Sequence, residues 1–225
     1  MNQFFGKISL TAMMLTLIAL VLAASPSLVR AQTFEGVIEF TVTGERGTMP
    51  MTYMMKGDNV RVEMEGRPGM KADFLIDTKE NKSYMLMEQM KMYMELPAPP
   101  PPDSSAPKPE ITKTGKTQKI LGYDCEEFLI KDGDRNSEVW ITKDLGPFQL
   151  FKMGGRQGQN NVEAWQKMVG SEGGFPLLAT TKEGDTEISK MVATNVEKKS
   201  LDDSLFKIPE GYKQFDSSMM RRPRQ

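Results

Sequence analysis

The sequence predicts a mainly β (α+β) protein: an antiparallel meander in one domain, with one or two short helices. Three observations predict it. Apolar and polar residues alternate with period two through most of the chain after Phe34. Clusters of Gly, Asp, Asn and Lys interrupt that alternation at short, even intervals, as hairpin turns do. Helical periodicity is confined to the stretch between Pro147 and Gly170.

The first 31 residues read differently from the rest. Lys7 supplies a positive start, and Ile8 to Ala24 is an apolar run broken by Ser9, Thr11 and Thr16. Val29-Arg30-Ala31 then places small or modest residues around a processing point. This is the pattern of a cleaved secretory signal, and cleavage is expected between Ala31 and Gln32. An uncleaved anchor is the alternative, but the run is at the short edge of what spans a bilayer. No cysteine follows it, so a lipoprotein N-terminus is not available, and no second apolar segment predicts a membrane span. The expectation is a periplasmic or secreted protein.

The strands follow in order. Phe34, Gly36, Ile38, Phe40 and Val42 share a face, and Gly44 to Gly47 turns the chain. Met49, Met51, Tyr53 and Met55 alternate next, then Lys56 to Asn59 turns it again. Val60, Val62 and Met64 oppose Arg61, Glu63 and Glu65; Ala72, Phe74 and Ile76 oppose Lys71, Asp73 and Asp77. Tyr84 to Leu96 is the longest candidate strand. Residues 97–109 hold seven prolines, which cannot donate to a ladder, so they predict a long loop. Strands resume over Lys116–Leu121, Cys125–Lys131 and Ser137–Thr142. Pro147 to Met153 suggests a short helix. A second should start near Asn160, with Glu163 completing a capping box and Gly170 closing it. Phe175–Lys182 and Thr186–Val196 return to strand, and Asp202–Phe206 suggests one helical turn. The expected layout is a signal over 1–31, one domain over 32–215 and a disordered tail over 216–225.

Composition excludes several classes of function. The 29 basic and 30 acidic residues give no electrostatic case for nucleic acid. Histidine is absent, which removes the commonest general base and metal ligand. The one cysteine, Cys125, cannot form an intramolecular disulfide and is expected buried and inert. Thr114-Gly115-Lys116-Thr117 resembles the end of a phosphate loop, but Glu110 stands where its first glycine belongs. Glu126-Glu127 and Asp202-Asp203 are adjacent, so in a strand they face opposite sides and form no carboxylate dyad. No enzyme, cofactor or metal site is expected.

Methionine is the unusual entry, with 19 in the chain and a concentration between Met49 and Met94. Three readings compete. An ordinary core uses methionine as adaptable filler, a flexible apolar groove uses it as lining, and a soft-metal or oxidant-handling surface uses its sulfur. Strand parity places Met90, Met92 and Met94 on one face of a strand and Met49 and Met51 on one face of another. The groove reading makes Met49, Met51, Tyr53, Met55, Met90, Met92, Met94 and Trp165 the candidate lining.

The stretch from Gly115 to Phe128, containing Lys119-Ile120-Leu121-Gly122-Tyr123-Asp124-Cys125, resembles a block of the bacterial domain-of-unknown-function family numbered 4412. Glu138-Val139-Trp140-Ile141-Thr142-Lys143 resembles the strand after it. Gly174-Phe175-Pro176-Leu177 and Leu205-Phe206-Lys207-Ile208-Pro209-Glu210-Gly211-Tyr212 resemble its late blocks. The family in turn looks similar to the outer-membrane lipoprotein carrier group. That resemblance implies a curved sheet or incomplete β-barrel with short helices over its concave face. It also implies a carrier for a lipid, an acyl chain or a lipoprotein. A non-enzymatic envelope interaction module, using the proline-rich loop, is the rival reading.

Overall fold

The computed structural model describes residues 34–45, 47–65, 71–97, 108–149 and 164–215. All belong to one compact unit, Thr33–Gln225. The expected signal, its cleavage pair Ala31 and Gln32, and the tail after residue 215 lie outside the described residues.

Among the described residues twelve strands form one open, curved sheet. The first meander holds β1 (Gly36–Gly44), β2 (Gly47–Lys56), β3 (Asn59–Glu65), β4 (Lys71–Asp77), β5 (Lys82–Met87) and β6 (Met92–Leu96). The second holds β7 (Glu110–Ile120), β8 (Tyr123–Asp132), β9 (Arg135–Thr142), β10 (Phe175–Glu183) and β11 (Thr186–Lys198). Within each meander consecutive strands pair antiparallel, the cheapest solution where short turns join them; β9 and β10 pair across the longer connection that holds the helix. The two meanders meet where β1 pairs with β11, from Gly36 opposite Lys198 to Thr43 opposite Lys190. β12 (Lys213–Gln214) adds a short parallel strand beside β6.

The helical content falls within the expected one or two short helices. The one α-helix among the described residues, α1, spans Ala164–Glu172. Gly170 lies inside it, and the helix ends at Gly173, whose positive φ of 73° lets its N–H donate to the Val169 carbonyl at 3.1 Å. The expected capping box at Asn160 and Glu163 lies outside the described residues. Pro147 to Gln149, expected to open a helix, is irregular chain, and residues 150–153 are not described. The turn near Asp202 is present: Asp202 caps a 3-10 turn over Asp203–Phe206 by accepting from the Ser204 N–H at 2.8 Å.

The long strand expected over Tyr84–Leu96 is two strands. A 3-10 turn, Glu88–Met90, splits it, and Lys91 leaves that turn at a φ of 48°. The Lys91 N–H donates to the Glu88 carbonyl at 3.1 Å, which closes the turn and folds β6 back on β5.

The core lies on the sheet face that carries Phe40 and Tyr53, called the inner face below. Tyr53 stacks on Phe148 with centroids 5.3 Å apart and meets Phe175 edge-on at 5.3 Å. Phe148 meets Phe175 at 5.2 Å and stacks near Trp165 of α1 at 6.4 Å. The Tyr53 hydroxyl donates to the Gln149 carbonyl and accepts from the Gln149 N–H, both at 2.9 Å. Residues 145–149 are thereby fastened over the inner face at β2, and α1 packs against β8 and β9.

The outer face of β3–β5 is covered differently. Residues 201–215 cross it. Lys56 donates to the Leu201 carbonyl, Arg61 to the Leu205 carbonyl, and the Phe215 N–H to the Tyr93 carbonyl. Leu75 and Leu86, which face outward by register, are buried. Beneath this segment Arg61 holds Asp73 at 2.6 Å and Glu63 at 2.7 Å. Burial pushes the Asp73 carboxyl up to about 6; Arg61 opposes the shift, while Glu63 and Glu88 add to it. Tyr212 completes the surroundings, its phenol also raised, first by burial.

A carboxyl raised by folding contributes stability at low pH that is lost as pH rises through its folded value. Asp73→Asn is therefore expected to gain stability relative to wild type as pH rises from about 4 to about 7, as wild-type Asp73 ionises in its buried site. Urea unfolding at the two pH values checks the sign. A loss for the variant at the higher pH would mean that the Arg61 pair outweighs burial.

A half-buried methionine face

Unbroken pairing from β1 to β6 fixes which side chains share the inner face, because opposite residues in a ladder point to the same side. One row runs Phe40, Met51, Met64, Ala72, Met87, Met92. The next runs Ile38, Tyr53, Val62, Phe74, Met85, Met94. A third runs Gly36, Met55, Val60, Ile76, Ser83, Leu96. Met49 stands opposite Val42 at the end of β2.

Burial divides these rows. Met51, Tyr53 and Met55 are buried against the packed aromatics, and so is Trp165. They are core and have no surface to offer a ligand. Met64, Met85, Met87, Met92 and Met94, with Met49, are half-buried. Met90 leaves the group entirely: it sits in the 3-10 turn, not on the strand with Met92 and Met94, and is 58% exposed. The eight sequence candidates thus separate into four core residues, three on a half-open face and one at a turn. Sequence reasoning missed Met64, Met85 and Met87, whose place depends on register between strands.

The described residues also form a shallow groove of about 470 Å³ on β7–β10. Glu110, Lys131, Glu138 and Lys182 line it beside Thr112 and Leu129, and it carries no methionine. It is not the sulfur-lined hollow that strand parity suggested.

Other candidate chemistry resolves into structure. Cys125 is buried, and burial pushes its thiol up to about 11, so little thiolate is present at neutral pH. Glu127 is buried rather than solvated. It accepts from the Thr114 hydroxyl at 2.6 Å and pairs with Lys116 at 3.0 Å, and these hold its carboxyl below the usual range. The Thr114-Gly115-Lys116 segment is therefore committed to an internal acid, not to a phosphate. Glu126 pairs with Lys113 at 2.8 Å, away from Glu127. Among the described residues no cluster of three or more His, Cys, Asp or Glu side chains is placed to hold a metal ion.

The family model described as Domain of unknown function (DUF4412) matches residues 34–212. The chain belongs to this family. A comparison with curated proteins gives no match. Among solved structures the chain is similar to PNGF-II in its C2 crystal form, at 21% identity over 83% of this chain, with a TM-score of 0.50. The P21 form of PNGF-II gives 20% identity over 84% of this chain, with a TM-score of 0.49. The chain spans 32% of PNGF-II in both, so the likeness concerns the fold of one part of that protein. A domain from Vibrio parahaemolyticus, assigned as an outer membrane lipoprotein-sorting protein, aligns over 76% of this chain and 87% of its own. Its identity is 11% and its TM-score 0.32, a distance at which the likeness carries no argument. Among the described residues no helix is long and apolar enough to cross a membrane.

Proposed function

We propose that the chain is an exported, non-enzymatic carrier that holds an apolar ligand, such as an acyl chain, a lipid or a lipoprotein anchor. One observation carries the reading. The inner face is closed by packed aromatics over β1 and β2, yet over β3–β6 it presents Met64, Met85, Met87, Met92 and Met94 half-buried in adjoining register. Unbranched thioether side chains re-pack around varied apolar shapes at little cost. Acyl surface removed from water on such a face contributes about 25 cal/mol per Å². The positive start and apolar run of residues 1–31 support export, with Gln32 as the mature N-terminus.

The test is uptake of an apolar fluorescent probe by the purified mature protein. Saturable uptake, displaced by a fatty acid and lost in Met94→Asp, is the expected result. Uptake that never saturates, or that survives Met94→Asp in a folded variant, overturns the reading. Mass spectrometry of protein purified from its own envelope checks the N-terminus and any molecule carried with it.

A further inference from the structure

We propose that the β5–β6 hairpin carries a thioether site for a soft monovalent cation, Cu(I), formed by Met85, Met87, Met92 and Met94. Register brings the four together. Met85 stands directly opposite Met94, and Met87 directly opposite Met92. Directly opposed Cβ atoms lie about 5 Å apart, and same-face neighbours along a strand about 7 Å apart. The four sulfurs therefore rise from the corners of a small rectangle. Each methionine has rotatable bonds enough to bring its sulfur toward the centre, where three or four thioethers surround one ion.

Two further features fit this assignment. All four side chains are half-buried, so an ion can reach them while the sheet fixes their roots. In the row of Met85 and Met94 the neighbouring strands use other apolar residues, while the row of Met87 and Met92 continues through Ala72 to Met64 and Met51. In the Met85–Met94 row Val62 and Phe74 occupy β3 and β4, and Ile38 occupies β1. Leucine would bury comparable apolar surface there; what methionine adds is polarisable sulfur, a donor that suits Cu(I) and holds hard dications poorly. The site stays neutral without its ion and needs no proton release to load. Binding is coordination alone, with no change of oxidation state. Met90, exposed at the turn, lies outside it.

The test is titration of the mature protein with Cu(I) under a reductant against a chromogenic Cu(I) chelator, repeated with Ag(I), which needs no reductant. The expected result is one ion per chain for either cation. Met85→Leu/Met94→Leu and Met87→Leu/Met92→Leu should each weaken binding by about tenfold or more, because each removes two soft donors. Met90→Leu should leave it unchanged. Leucine keeps the apolar volume, so thermal unfolding should report intact folds in both double variants. Affinity equal in wild type and both double variants, or no binding in wild type, overturns the site. Probe uptake is read on the wild-type protein without the cation, so failure here is distinguishable from failure of the carrier reading.

Discussion

Tyr53→Ala is expected to destabilise the fold by about 3–5 kcal/mol, the range for deleting a large buried aromatic side chain. Tyr53 is fully buried at the centre of the ring cluster, touching Phe148 on one side and Phe175 on another. Its hydroxyl fastens residue 149 by two hydrogen bonds across 96 positions of sequence. Alanine removes the ring contacts and both fastenings together. It also leaves a cavity under residues 145–149 that the sheet cannot collapse to fill, since Ile38 and Val62 flank Tyr53 in its row and are themselves fully buried. Tyr53→Phe separates the two contributions. It keeps the ring and leaves the Gln149 N–H and carbonyl without their partner, at a cost of about 1–3 kcal/mol. Urea unfolding of the three proteins measures both steps. Equal losses for the two variants would mean that the hydrogen bonds, not the packed ring, hold the cover down.

The same residue marks where the sequence was readable and where it was not. Period-two alternation placed Met51, Tyr53 and Met55 on one face, and the register agrees. Alternation says which side a residue faces but not what comes to cover that side. The cover over Tyr53 arrives from Phe148 and Trp165, nearly a hundred or more positions away, and nothing local to β2 announces it. Hence Met51, Tyr53, Met55 and Trp165 were candidates for lining and are core.

The break at Lys91 was hidden for a different reason. Turns are legible through Gly, Asn, Asp and Pro, and the turn from Glu88 to Lys91 contains none of them. A lysine in a left-handed conformation is uncommon, so the run from Tyr84 to Leu96 read as one strand. That single error concealed the hairpin, and with it the pairing of Met85 with Met94 and Met87 with Met92. The buried acids were illegible too. Asp73 sits at a polar position of an alternating pattern, and Glu127 is one of two adjacent acids that local sequence does not tell apart. The C-terminal segment covers the first, while Thr114 and Lys116 of β7 satisfy the second.

Gly36→Ala tests the seam between the two meanders. A methyl group at residue 36 would run into the carbonyl oxygen of Glu197 and approach the Lys198 Cα to 3.0 Å and the Phe34 Cζ to 2.9 Å. Two of those three neighbours are backbone atoms of β11, held in the β1–β11 ladder, so they cannot swing aside as a side-chain tip would. Overpacking of this kind costs about 1–3 kcal/mol and more where backbone must move. The upper end or beyond is expected, because β1 and β11 form the ladder that joins residues 36–96 to residues 110–198. Gly44→Ala supplies the control. There an added methyl meets nothing within 4 Å, so a smaller loss is expected. Thermal unfolding ranks the two, and amide hydrogen exchange locates the damage, with loss of protection expected first along β1 and β11. Equal, small effects from both substitutions would show that the end of β1 relaxes freely, and that the two meanders are held together by the aromatic cluster alone.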